Sequence, residues 1–203
     1  MAEEPRRCGW RGMDSSLMQA YHDTEWGVPA WDDGKLFEFI VLESAQAGLS
    51  WRTILERREG YRACFAGFDP AKVAAFTERD VSRILLDPRI IRNRKKVEAT
   101  VANARAFLEL ASKHGSFARW FWDHTDGYPI ENAWKRMEDV PATTALSDSM
   151  AREMKSLGFR FLGSTVLYSH MQACGMVNDH LTGCFRYEEV RAMSDRIQLF
   201  AAK

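Results

Sequence analysis

His180 and Cys184, in the stretch VNDHLTGC, stand four positions apart, a spacing that brings an imidazole nitrogen and a thiolate within reach of one ion on a helix or a tight turn. The opening segment offers a matching pair, Cys8 in RCGW and His22 in YHDTEWGVP. Together they would make a soft Cys2His2 set for a tetrahedral ion, with every position filled by protein. A closed site of that kind leaves no place for an activated water and is structural. Spacing alone leaves a second reading open, a free Cys8 and a surface His180, because the split pattern is far less specific than paired C-x-x-C motifs. A zinc deaminase is excluded, since neither H-x-E nor P-C-x-x-C occurs.

A second set mixes aromatic rings with one carboxylate: Trp10, Tyr21, Trp26, Glu43, Gln46 and Trp51. Glu43 lies in the otherwise apolar FEFIVLESAQAG, where a buried carboxylate has to be paired, hydrogen-bonded or shifted in pKa. An exposed Glu43 balancing an arginine, with the rings as plain core, is the alternative. Rings that sandwich a base, with an acid accepting from its N–H edge, are how a flipped nucleobase is held. An ionised carboxylate only accepts, so it favours an edge rich in N–H or a cationic base, which aromatic faces also attract.

The elements that must position these residues read as helices. Asp32 opens the segment holding Glu43, and Ser50 caps WRTILERREGY. Asp69-Pro70 starts AKVAAF, and Thr77 with Asp80 forms a capping box for DVSRILL. Asp87-Pro88 breaks that helix before a long one from Asn93 to Gly115. SFARWFWDH, then an irregular stretch 125–145, then a helix capped by Ser147 and a last one from Gly163-Ser164 complete the pattern. No segment alternates convincingly enough to be a strand, so the expected class is all-α. Residues 1–186 are expected to form one domain and 187–203 a tail, helical or disordered.

The 203 residues suffice for a sizeable core, and 46% hydrophobic with 12% aromatic content argues for a folded globule. No signal-type or membrane-spanning run is apparent, so a cytoplasmic monomer with no membrane partner is expected. Cys64 and Cys174, in apolar surroundings, read as small buried hydrophobes. With 28 basic against 28 acidic residues, a nucleic-acid partner requires positive charge gathered on one face.

In collinear order, RCGW, YHDTEWGVP, LFEFIVLESAQAGLSW, YRACFAGFDPAKVA, IIRNRKK and YSHMQACGMVNDHLTGC resemble the DNA-3-methyladenine glycosylase I family from Cys8 to about Cys184. The resemblance implies a helix-hairpin-helix glycosylase fold whose terminal segments are joined by a structural Zn2+ on Cys8, His22, His180 and Cys184. It implies Tyr21, Glu43 and Trp51 in a base pocket with Trp10 and Trp26 beside them. Gln46, Gly48 and Leu49 lie on the adjoining turn, and Gly48-Leu49 would supply the wedge that fills the gap in the duplex. The hairpin falls at DVSRILL–DPRIIR and the long helix, where Arg89, Arg92, Arg94, Lys95 and Lys96 would meet phosphates. The usual hairpin glycine is missing there, and Pro88-Arg89 stands in its region.

The implied reaction is hydrolysis of the N-glycosidic bond of 3-methyladenine in alkylated duplex DNA, releasing the base. Methylation at N3 makes the base cationic, so it departs neutral, and selective capture supplies much of the acceleration. Glu43 and Tyr21 would act on the base and Trp51 would stack on it. With no candidate for a catalytic Asp or a Schiff-base lysine, a monofunctional enzyme is expected. The competing reading is a non-enzymatic reader of alkylated bases carrying a structural zinc.

Overall fold

The computed structural model describes residues 4–194. Helix α2 (Asp33–Gln46) is its axis: ten consecutive residues from Leu36 to Ala45 are buried. A helix covered on all sides has to be surrounded by others. Around it pack α3 (Trp51–Leu55), α7 (Arg94–His114), α8 (Phe117–Asp123) and α10 (Ser164–Ala173). Stacked rings fill the junction, with Phe107 and Phe117 centroids 4.2 Å apart and Phe37 edge-on to Phe107 at 5.2 Å.

Side-chain caps start most of these helices. Asp32, Ser50, Asn93 and Ser116 each accept from the backbone N–H three residues on. Asp69 caps α5 (Pro70–Ala74), with the proline in the first turn. Thr77 and Asp80 cap α6 (Glu78–Ile84) reciprocally. Gly115 ends α7 at φ +89°.

Two boundaries differ from the sequence reading. The stretch after Ser50 is two helices, α3 and α4 (Arg58–Cys64), because Arg57 leaves helical geometry at φ −105°, ψ 1°. The break turns Gly60 onto the loop 85–93, where a Cβ would lie 2.6 Å from Arg89, while the Tyr61 hydroxyl accepts from Ile91 N–H. Further on, α9 (Ala145–Ser156) begins three residues earlier than expected. Thr144 is its N-cap and Ser147 completes the box from the third position, so the residue read as the cap is the partner of the cap.

Two helix hairpins result: α6–α7 across 85–93, and α9–α10 across 157–163, where Gly158 sits at φ +94°. A two-residue parallel pairing of β1 (Ile130–Glu131) with β2 (Val177–Asn178) anchors the irregular stretch 125–145 to the loop that follows α10. The terminal segments meet on α1 (Ser16–Thr24), where Phe185 N–H donates to Arg6 O at 3.0 Å. Helix α11 (Arg186–Ser194) covers the first part of the expected tail and buries Tyr187 and Val190. Residues 195–203 lie outside the described residues. Among the described residues no helix is long and apolar enough to cross a membrane.

Candidate base pocket and metal centre

Cys8, His22, His180 and Cys184 are all buried, and their ligand atoms lie within 4.8 Å of one another. Cys8 Sγ is 3.6 Å from His180 Nδ1, Cys184 Sγ is 3.5 Å from His22 Nε2, and Cys184 Sγ is 3.7 Å from His180 Nδ1. A tetrahedral ion with thiolate and imidazole bonds of ordinary length has edges of about 3.4–3.8 Å, which these three separations match. His180 and Cys184 reach it from a loop, the turn alternative of the two spacings considered.

The remaining ring nitrogens are oriented by hydrogen bonds. His22 Nδ1 meets Asp23 at 2.8 Å and His180 Nε2 meets the carbonyl of Trp26 at 3.1 Å. Arg7 grips Asp23 through Nε and a terminal nitrogen, the latter at 2.7 Å. The adjoining Cys8 thiol and the two histidines push Cys184 well down in pKa, while Cys184 and burial push Cys8 up, so a thiolate is available to an ion.

Beside this cluster lies a cavity of about 250 Å³ walled by Trp10, Tyr21, Trp26 and Trp51, with the buried Glu43 and the half-buried Gln46 also lining it. The two sites share elements, since Tyr21 and His22 are successive on α1 and Trp10 sits edge-on to His22 at 4.9 Å. Trp10 and Trp26 meet edge to face at 4.5 Å, and Tyr21 tilts over Trp51 at 5.4 Å. The indole N–H of Trp51 is buried without a hydrogen-bond partner, and the Tyr21 hydroxyl has none among the described residues. A planar ligand with polar edges would satisfy both.

Glu43 is 2% exposed, and its Oε2 lies 3.0 Å from Nδ1 of the fully buried His170. Burial raises the Glu43 pKa and the histidine opposes the shift. From the sequence alone His170 has no role of its own. The available signal was pairing: a histidine inside the apolar TVLYSHMQACG and an acid inside an apolar helix are natural complements once both are buried. Ser169, Gln172, Ala173, Met18, Arg11 and Met137 also line the cavity and were missed, since they come from α10, α1 and two loops.

The turn after α2 holds Gly48 at φ +79° and a partly exposed Leu49 beside a groove that adjoins the cavity at Glu43, Gln46 and Ser169. Of the basic cluster, Arg89 is bound to Asp87, and Arg94 pairs with Glu78 and Glu98. Lys96 donates to the carbonyls of Ala45 and Ala47 at 2.8 and 2.7 Å, capping α2, and desolvation lowers its pKa. Arg92 and Lys95 are exposed and have no side-chain partner among the described residues.

Fold and site together define a helical protein with a ring-walled cavity, lined by one buried carboxylate, next to a buried Cys2His2 cluster. The chain belongs to the methyladenine glycosylase family, whose sequence model matches residues 10–187. It is 49% identical over 181 residues to DNA-3-methyladenine glycosylase 1 of Escherichia coli K12, covering 89% of this chain and 96% of the relative. A crystal structure of 3-methyladenine DNA glycosylase I superposes with TM-score 0.85 at 50% identity, covering 89% of this chain and 98% of that one. The Staphylococcus aureus enzyme, solved to show how it recognises 3-methyladenine, gives 0.84 at 35% identity, covering 86% and 93%.

Proposed function

We propose that this chain is a monofunctional DNA glycosylase that hydrolyses the N-glycosidic bond of 3-methyladenine in alkylated duplex DNA, freeing the base and leaving an abasic site. The observation that carries the reading is a buried carboxylate, Glu43, lining a ring-walled cavity of about 250 Å³. A cationic base entering it exchanges water for aromatic faces and for the one acid nearby. His170 holds that acid in place, Tyr21 meets the base edge, and Trp51 stacks on the ring with Trp10 and Trp26 completing the wall. Positive charge on the base and sugar is thereby stabilised while the bond to the sugar breaks and water supplies the hydroxyl. Among the described residues no lysine and no aspartate line the cavity, which supports simple hydrolysis without a Schiff base.

Cys8, His22, His180 and Cys184 would hold one Zn2+, whose role is to bind the two ends of the chain; the S2N2 donor set and the oriented histidines favour that ion. Gly48-Leu49 would fill the space vacated by the flipped nucleotide. Phosphate contact is assigned to the α6–α7 hairpin, where Arg92 and Lys95 are free to make it and Arg89, Arg94 and Lys96 are held by protein partners. Four cysteines free of disulfides suit a reducing, intracellular setting.

The test is incubation of the protein with methylated duplex DNA and chromatography of the released bases. Free 3-methyladenine is the expected product. Tight binding to the same DNA with no base released would establish the non-enzymatic reader instead.

A further inference from the structure

Asp179 follows β2, is 2% exposed, and stands next to His180. Its two oxygens take four side-chain hydrogen bonds. Oδ1 accepts from Asn132 Nδ2 at 2.7 Å and Trp134 Nε1 at 2.8 Å, and Oδ2 accepts from the Tyr168 hydroxyl and Gln172 Nε2, both at 2.7 Å. A carboxylate has about four acceptor positions, so this one is saturated, and in its ionised form it can only accept. The orientation of each partner is therefore dictated. For Gln172 the consequence reaches the cavity. Its amide nitrogen has to face Asp179, which leaves Oε1 as the atom with no partner among the described residues. Gln172 is half-buried and lines the same cavity as Glu43 and Tyr21.

We infer that Gln172, oriented by Asp179, presents its carbonyl oxygen to the flipped base and thereby selects 6-amino over 6-oxo 3-methylpurines. The inference rests on the glycosylase reading of the cavity. Adenine and guanine differ at this edge in hydrogen-bond sense: an exocyclic amine donates at position 6 of one, and a carbonyl accepts at position 6 of the other. An acceptor fixed opposite an amine gains a bond. The same acceptor opposite a carbonyl leaves two desolvated oxygens facing each other, a larger penalty than a misfit in shape. Were Gln172 free to rotate, it would offer N–H2 to the carbonyl and the distinction would vanish. Asp179 prevents the rotation without touching substrate and is a positioning residue.

Two variants separate this from a packing role. Gln172→Met keeps the side-chain length and removes both polar atoms. Asp179→Asn replaces an acceptor by a donor, and Gln172 satisfies it by turning its carbonyl inward and its N–H2 toward the base. Full-length protein is incubated with methylated duplex DNA carrying both 3-methyladenine and 3-methylguanine, and single-turnover release of each is followed by chromatography. The wild-type ratio should favour 3-methyladenine, Gln172→Met should lower that ratio by about tenfold, and Asp179→Asn should lower it further with 3-methylguanine release rising. An unchanged ratio in Gln172→Met, or both rates falling by one factor, would overturn the inference. Zinc content and melting temperature check the folding of Asp179→Asn, and should it fail to fold, Gln172→Met decides alone. Quenching of tryptophan fluorescence by the two free bases reads the same preference without catalysis. Loss of the glycosylase reading would show separately, as release of neither base by the wild type.

Discussion

Glu43 carries opposite consequences for activity and for stability. Burial raises its pKa, so the charged form that holds a cationic base is lost as pH falls through a value above the usual carboxylate range. The acid limb of the single-turnover pH profile should therefore stand above that range, and replacing His170 by Phe, which removes the opposing partner, should move it further up. Folding has the reverse sign. An acid whose native pKa is raised binds its proton more tightly when folded, so ionising it costs stability as pH rises past the unfolded value. Glu43→Gln should accordingly slow release of 3-methyladenine by about a hundredfold while raising the melting temperature at neutral pH. Release at the wild-type rate would remove Glu43 from the chemistry.

Among the elements, the junction of α1, α2 and α4 depends on an ion cluster that no single helix reveals. Arg58 reaches Glu25 at 2.6 Å and Glu38 at 2.9 Å; Lys35 pairs with both acids, and Arg62 joins Glu38 at 2.6 Å. Burial is the largest single influence and raises both carboxyls, but Arg58 and Lys35 together, with Arg62 at Glu38, outweigh it and both are lowered. Their contribution is present above the ordinary carboxylate range and disappears as pH falls through the lowered values. Removing the central cation leaves two partly buried acids with only Lys35, and Arg62 at Glu38, as partners, so Arg58→Met should cost about 3 kcal/mol in denaturant unfolding at pH 7, a deficit that shrinks in acid. A similar constraint acts at Gly175 (φ +69°), where a Cβ would lie 2.5 Å from the carbonyl of Gly27 and equally close to the backbone of Pro29. Both neighbours are backbone and cannot yield. Gly175→Ala should thus lower stability by about 2 kcal/mol or more and disturb the wall that Trp26 contributes.

At the scale of the whole molecule, the buried Cys8, His22, His180 and Cys184 cluster joins segments more than 170 positions apart, with Cys8 and His180 in contact across a separation of 172 residues. Elemental analysis should find one zinc per chain. Cys184→Ser should lower the melting temperature by about 6–12 °C, as expected from a loss near 3 kcal/mol in a domain of this size. Because His22 and Tyr21 are neighbours on α1, base release should weaken with it. DNA binding tests the α6–α7 hairpin. Alanine at Arg92 and Lys95 should weaken affinity for all sequences alike and reduce the slope of log K against log salt by about 0.9 for each phosphate no longer neutralised. A slope equal to the wild type's would move the phosphate contacts elsewhere.

Local chemistry made the helices legible in the chain itself. Caps such as Asp32, Thr77 with Asp80, and Asn93 are read from side chains a few residues apart, as are the stop at Gly115 and the apolar run around Glu43. Cys8, His22, His180 and Cys184 were legible as types and spacings, and their convergence was made specific by the collinear motifs. Tertiary structure alone decided which polar groups complete one another. His170 belongs to Glu43, Gln172 to Asp179 and Lys96 to the end of α2, pairings spanning 127, 7 and about 50 positions. Tertiary structure also decided that the Ser147 hydroxyl meets Ser164 and that a bend at Arg57 seats Gly60 on Arg89. The physical reason is one of range. Propensity and capping are satisfied within a turn of backbone, whereas a buried polar atom takes its partner from whatever the packed core brings within about 3 Å.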